Sequence, residues 1–205
     1  MAEYLEIHPK NPQVRLIRQA ANIVREGGVI AYPTDSCYAL GCHVGDADAL
    51  ERIRRIRQAD KNHHFTLVCR DLSEIAKYAQ VDTPVFRLLK AHTPGPFTFL
   101  LPATRETPKR LQHPKRRTIG IRVPDHPVPH LLLAELGEPL MSSTLLLPGE
   151  ETPLTDADQI RDRLDSVLDA ILDGGHCGIE PTTVVDLAVS PPVILRQGKG
   201  QIASV

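Results

Sequence analysis

Apolar positions recur along this chain with two different periods, and the alternation between them lays out its elements. Val14, Ile17, Ala21 and Val24 fall three and four apart, which predicts an amphipathic helix from about Pro12 to Glu26. Asn11 can cap it, Pro12 suits its first position and Gly27-Gly28 stops it. The apolar run Val29–Tyr32 reads as a buried strand. A second helix spans Ala47 to Arg57, with Leu50, Ile53 and Ile56 inward. Phe65–Cys69 reads as a strand, Asp71-x-x-Glu74 opens a short helix in capping-box style, and Thr83-Pro84 opens another that runs to about Lys90. The irregular His92-Thr93-Pro94-Gly95-Pro96 delivers the chain into strand Phe97–Leu101. Strands Thr118–Val123 and Leu140–Leu147 frame a helix, Pro127–Leu136, that ends at Gly137. A helix near Ala157–Leu164 and strands near Val167–Ile171, Thr183–Leu187 and Val193–Leu195 complete the series. Interleaved helices and strands without repeats or low-complexity tracts predict an α/β (α+β) fold around a mixed, twisted sheet. A chain of 205 residues is long enough to bury a substantial core as a single domain over 1–205.

Composition adds little to that picture: 41% hydrophobic and 24% charged residues are ordinary for a globular protein. No apolar run reaches the length of a bilayer span, and the opening Met1-Ala2-Glu3-Tyr4 leads into no apolar signal segment, so the expected compartment is cytoplasmic, with no membrane partner. Cys37, Cys42, Cys69 and Cys177 form no CxxC pair and read as free thiols. His63-His64 and His126/His130 lack a third ligand nearby, so no structural metal is expected. Charge changes the picture more. The net value of −1 hides a basic stretch from Glu51 to Lys61 (Arg52, Arg54, Arg55, Arg57, Lys61) and another from Arg105 to Arg122, against an acidic stretch from Glu150 to Asp173. Two basic clusters on a near-neutral chain point to a polyanion, either a triphosphate or RNA.

Candidate chemistry concentrates in Tyr32-Pro33-Thr34-Asp35-Ser36-Cys37-Tyr38-Ala39-Leu40-Gly41, where polar groups crowd the end of a buried strand. By itself this reads equally as a ligand site or as a strand-to-loop exit. The decapeptide closely resembles the opening motif of the YrdC family, which holds TsaC and the related YciO branch. Arg55-Ile56-Arg57 is similar to that family's Lys-x-Arg, with Arg55 in place of the lysine. Pro94-Gly95-Pro96-Phe97-Thr98 matches its Pro-Gly-Pro-Tyr/Phe-Thr, and Gly120-Ile121-Arg122-Val123-Pro124-Asp125-His126-Pro127 resembles its Gly-Val-Arg-x-Pro-x-His-Pro. Met141-Ser142-Ser143-Thr144 aligns with Thr-Ser-Ala-Asn, Thr182–Asp186 with Ser-Thr-Val-Val-Asp, and Leu195-Arg196-Gln197-Gly198 with Leu-Arg-x-Gly. The resemblance runs from about Pro12 to Gly200. Departures at Arg55, Thr144 and Cys69 (a histidine in the family), a longer loop at Lys61-Asn62-His63-His64, and the opening Tyr4-x-x-Ile7-His8-Pro9 resemble the YciO branch more than TsaC.

The resemblance implies a YrdC-like domain with a basic concave cavity. It also implies synthesis of threonylcarbamoyl-adenylate from L-threonine, bicarbonate and ATP with Mg2+, releasing pyrophosphate and feeding the t6A modification of tRNA. By motif, Arg55, Arg57, Thr118, Ser142, Thr144 and Arg196 would surround the ATP, and Thr34, Arg122 and Thr182 the amino acid. Arginines and hydroxyls without a nucleophile triad suit a reaction that needs positioning and charge neutralisation. From the residues themselves, Arg57 also suits a helix C-terminus and Arg122 a surface salt bridge. The alternative is a protein of the same fold that grips double-stranded RNA or tRNA without synthase activity. With 4% aromatics and no tryptophan, stacking on single-stranded bases is disfavoured.

Overall fold

Alternation in the strands gives the sheet two unequal faces, and the helices divide between them. The structure, a computed structural model, describes residues 1–60 and 63–203; Lys61 and Asn62, counted above in the first basic stretch and the loop, lie outside the described residues. The elements in order are β1 (Glu3–Glu6), α1 (Val14–Arg25), β2 (Ile30–Tyr32), β3 (Ala39–His43), α2 (Ala47–Arg57), β4 (Thr66–Val68), α3 (Leu72–Tyr78), α4 (Thr83–His92), β5 (Phe97–Pro102), a 3-10 turn (Lys109–Leu111), β6 (Thr118–Arg122), α5 (Pro127–Leu136), β7 (Leu140–Thr144), α6 (Ala157–Leu164), β8 (Ala170–Asp173), β9 (Thr183–Asp186) and β10 (Val193–Arg196). Among the described residues the strands form one ten-stranded sheet in the order β1-β8-β2-β3-β7-β4-β6-β5-β9-β10. Parallel pairs (β1 with β8, β2 with β8, β4 with β6, β5 with β9) mix with antiparallel ones, as the interleaved pattern predicts.

Ala31, Leu40, Leu67, Phe99 and Ile121 point to one face and are buried under α2, α3, α4 and α6 through Leu50, Ile53, Ile75, Leu89 and Ile160. Ile30, Tyr32, Ala39, Val68, Leu140 and Leu172 point to the other, where α1 and α5 supply Ile17, Val24, Leu132 and Leu133. Local chemistry fixes the helix ends. Asp46, Asp71, Asp82 and Asp156 each accept a hydrogen bond from the backbone N–H three residues on, capping α2, α3, α4 and α6. Gly137, at φ 71°, ends α5 as expected. Among the described residues no helix is long and apolar enough to cross a membrane.

Three expectations shift. Helix α1 starts at Val14 behind Gln13, not at Pro12 behind Asn11, because Nδ1 of His8 holds the Lys10 and Asn11 N–H groups in a turn while Gln13 reaches back to the His8 N–H. Strand β8 begins at Ala170, not Val167, because the Val167 and Leu168 N–H groups still bond the carbonyl of Leu164 at the end of α6. Strand β7 stops at Thr144, short of Leu147. Strands β1 and β3 are additional. Leu67 lies at the sheet centre, fully buried between Met141 and Ile121. Leu67→Ala is expected to lower stability by about 2–5 kcal/mol, read as a lower urea midpoint with an unchanged slope.

Candidate functional site

Helices α1 and α5 cover only part of their face. Beyond Val68 that face continues across β4, β6, β5 and β9 with Thr66, Gly120, Thr98, Leu100 and Val184, which floor a cavity of about 470 Å3. Gly120 keeps it open: a Cβ there would meet Thr66 Oγ1 at 3.3 Å and Thr98 Cγ2 at 3.5 Å. Functional side chains reach its walls from element ends, Arg57 from α2, Ser143 and Thr144 from β7, Thr182 from the entry to β9 and Arg196 from β10, joined by Arg116 and by His63 and His64 from the loop before β4.

Four of the nine residues expected in a site therefore line one cavity: Arg57, Thr144, Thr182 and Arg196. Arg57 donates from one terminal nitrogen to Ser143 Oγ (2.9 Å) and to the Thr144 carbonyl, which fixes it across the end of β7. Arg196 donates from Nε (3.0 Å) and a terminal nitrogen (2.8 Å) to the Thr182 carbonyl, and the Thr182 hydroxyl lies 2.8 Å from that of Thr98. Burial pulls both guanidinium pKa values below the ordinary value, yet arginine remains cationic. Arg116, the third cation, is paired at 2.7 Å with the buried carboxylate of Asp186. Glu151 is the only acid among the lining residues.

The other five lie elsewhere. Arg55 lines a separate surface hollow with Glu51, Arg54 and Gln58, because it sits on the outer side of the last turn of α2. Ser142 is buried and its hydroxyl is spent within the sheet, donating to the Leu40 carbonyl (2.9 Å) and meeting the Tyr32 hydroxyl at 2.7 Å. Thr118 is buried on β6. Thr34 is buried too, its hydroxyl donating to the Cys37 carbonyl and accepting from the Ser36 N–H. Arg122 forms no surface salt bridge: it is a buried ion pair with Asp35 and also donates to Ser36 Oγ at 3.2 Å. The Asp35 carboxylate takes the Asp125 N–H in addition (2.9 Å), and Lys199 donates to the Asp35 carbonyl. Arg122 Nε, buried, is left without a partner. Thr34 and Arg122 thus share a second polar nest, which reaches the Thr182 segment through Cys37 Sγ and the Glu180 carbonyl, 3.3 Å apart. Cys69 is fully buried in the apolar cluster and does not line the cavity; its backbone N–H donates to the Arg122 carbonyl at 2.9 Å.

Sequence reasoning missed Gly120, Arg116, Ser143 and the two loop histidines. Ser143 sits one residue from an expected contact, but alternation turns it to the opposite side of β7 from Thr66 and Gly120, so the strand period gives no sign of it and it joins the site through Arg57. His63 Nε2 lies 3.1 Å from Ser143 Oγ, whose hydrogen is free to donate because Arg57 already donates to that oxygen. Burial, then the charges of Arg57 and Arg54, push the His63 pKa down to about 4. His63 is therefore neutral at physiological pH, and the arginines carry the cavity's positive charge.

Comparison with known proteins agrees with this architecture. The profile of the Sua5, YciO and YrdC family, described as telomere recombination, matches residues 22–198. The uncharacterised protein YciO of Escherichia coli is 54% identical over 202 residues, covering 98% of each chain. Its crystal structure superposes with a TM-score of 0.96 at 53% identity, over 99% of this chain and 98% of that one. Threonylcarbamoyl-AMP synthase of Bacillus subtilis is 31% identical over 205 residues, which are 98% of this chain and 58% of that protein. Sua5 of P. abyssi complexed with L-threonine superposes with a TM-score of 0.88 at 26% identity, over 95% of this chain and 57% of that one.

Two outcomes test the geometry. Asp35→Ala strands the buried Arg122 charge and is expected to cost about 3–5 kcal/mol in unfolding free energy, most of it recovered in Asp35→Ala/Arg122→Met. The His63 ring is expected to titrate near pH 4 by NMR. Between that pH and the ordinary value near 6.5 the unfolded chain holds the extra proton, so stability falls as the pH drops, and less steeply in His63→Gln.

Proposed function

The chain belongs to the Sua5, YciO and YrdC family, and on that premise we propose that it binds ATP and L-threonine and forms threonylcarbamoyl-AMP, releasing pyrophosphate. The observation that carries this reading is the convergence of Arg57, Thr144, Thr182 and Arg196, from four separate motifs, on one cavity. Its volume suits a small-molecule ligand, and three arginines against one glutamate suit a polyanion. The 31% identity to a threonylcarbamoyl-AMP synthase and the likeness to a Sua5 complexed with L-threonine supply the substrate class.

The chemistry asks little acid–base work of the protein. The amine of threonine captures carbon dioxide from bicarbonate, a carbamate oxygen attacks the α-phosphorus of ATP, and pyrophosphate leaves. Arg57 and Arg196 would neutralise the phosphate oxygens, and the Thr144 and Thr182 hydroxyls would orient the nucleotide and the amino acid. On this reading the Arg122 guanidinium, its terminal nitrogens each donating once, to Ser36 and Asp35, and its Nε without a partner, would offer its remaining N–H groups to the amino-acid carboxylate. Magnesium would enter with the triphosphate as part of the substrate. Glu151 is the one carboxylate on the cavity wall, and among the described residues no group of three His, Cys, Asp or Glu converges, so phosphate oxygens and water would supply most of its ligands.

Calorimetry with ATP and a radiolabelled threonine assay test the reading together. Wild type is expected to bind ATP and to convert threonine only when ATP and bicarbonate are both present. Arg57→Ala is expected to weaken ATP by about 1.5–3 kcal/mol, with Arg57→Lys recovering part of the loss. Unchanged ATP affinity in Arg57→Ala would remove this cavity from the nucleotide site.

A further inference from the structure

A second hollow, of about 770 Å3, opens on the far side of Arg116. Arg105, Lys109, Arg116 and Arg117 line it with His113, and none of its lining residues is acidic. Arg116 also lines the candidate cavity, so the two hollows share one guanidinium. The rings of His64 from the first and His113 from the second stack between them, centroids 4.9 Å apart and planes 18° from parallel. Arg116 is paired with Asp186, whereas Arg105, Lys109 and Arg117 form no ion pair among the described residues. The fold gathers these like charges on strained backbone. Arg117 has a φ of 53°, in the left-handed region that side-chain-bearing residues seldom adopt. Its N–H donates to the His113 carbonyl, and its carbonyl accepts from the Ala103 N–H, both at 2.9 Å.

The next residue, Thr118, lines neither hollow but carries an unpaired hydroxyl behind these arginines. Its side chain is 2% exposed and its hydroxyl has no hydrogen-bond partner. Two residues before Gly120 on β6, it faces the same side of the sheet as the cavity floor, directly after Arg116, which lines both hollows, and Arg117, which lines the second. A buried hydroxyl without a partner is costly unless something brings it an acceptor.

We propose that the two hollows form one track for a polyphosphate. The first takes the nucleoside and α-phosphate, and the hollow of Arg105, Lys109, Arg116 and Arg117 takes the pyrophosphate end. The proposal rests on the nucleotide reading above and adds where the leaving group goes. As the carbamate oxygen bonds to the α-phosphorus, the bond from that phosphorus to the bridging oxygen breaks. Pyrophosphate leaves with the electron pair into the second hollow, where unpaired cations meet its charge. Continuity with the cavity through a shared arginine favours a small polyphosphate here over a nucleic-acid strand.

Calorimetry with inorganic pyrophosphate, ATP and AMP, at one ionic strength, tests this on wild type and on Arg105→Ala/Lys109→Ala. Both residues are exposed, so an unchanged melting temperature checks folding. Arg116 is left in place because its loss would strand the buried Asp186. The double variant is expected to weaken pyrophosphate and ATP roughly tenfold or more and to leave AMP within about twofold. Equal losses for ATP and AMP, or unchanged pyrophosphate affinity, would overturn the proposal. So would unchanged pyrophosphate binding with a fall in tRNA affinity, which would assign the hollow to an RNA backbone. If wild type binds neither ATP nor AMP the nucleotide reading fails, and the pyrophosphate comparison still decides the second hollow.

Discussion

The candidate site exists because half of one sheet face has no helix over it. Alternation sends Leu67, Ile121, Phe99 and Val185 into the buried cluster on one side of β4, β6, β5 and β9. The same alternation obliges Thr66, Gly120, Thr98 and Val184 to face the other, where α1 and α5 stop short. Small and polar residues there cannot fill the space that apolar ones fill elsewhere. The four strands are thus anchored by one face and shaped by the other. The walls follow from where the chain leaves the sheet: α2, β7, β9 and β10 each present a functional side chain at an end, which keeps backbone geometry regular beneath a site of irregular composition.

Electrostatics set what that hollow can hold. Arg57, Arg116 and Arg196 face it, Asp186 balances only Arg116, and Glu151 is the one acid on the wall. His63 adds a hydrogen-bonding group without adding charge, since burial and the neighbouring arginines disfavour its protonated form. The nest around Asp35 is organised the opposite way. There Arg122 is matched by a carboxylate and its Nε has no partner, so an arriving carboxylate would meet a guanidinium already neutralised and partly engaged. The two regions therefore differ in kind: one is an open hollow whose positive charge is only partly balanced and the other a closed, compensated ion pair.

Much of this was legible in the sequence, for reasons that separate cleanly. Helices with a strong apolar stripe, such as α1 and α2, and strands with apolar runs, such as β5 and β6, announce themselves through their patterns alone. Strand β3 did not, because Ala39-Leu40-Gly41-Cys42-His43 is small-residued and follows a motif that reads as a loop. Strand β1 has four residues and one buried side chain, too few to show alternation. At the site, Arg57, Thr144, Thr182 and Arg196 were visible as motif positions at element ends. Arg55 and Ser142 belong to the same motifs and still miss the cavity. A motif marks a segment, whereas helix phase and competing hydrogen bonds decide which of its side chains arrives, and the partners that hold Ser142 lie on β2 and β3, about a hundred residues away in sequence.

The departures from the synthase pattern sort by the same geometry. Arginine replaces lysine at position 55, but Arg55 faces a different hollow, so the exchange leaves the cavity's charge untouched. Cys69 replaces a histidine deep in the apolar cluster, where a fully buried thiol, its pKa raised by desolvation, acts as a small hydrophobe. Thr144 keeps a hydroxyl at the cavity wall while its carbonyl holds Arg57. The longer loop before β4 has the larger consequence. It brings His63 onto Ser143 and His64 onto His113, so that both rings line the cavity on the side where the second hollow adjoins it. Of these departures, Thr144 and the loop histidines reach the cavity wall, whereas Arg55 and Cys69 do not. On the proposed reading, that puts the difference where the phosphate end of the ligand would lie, and not where the amino acid would.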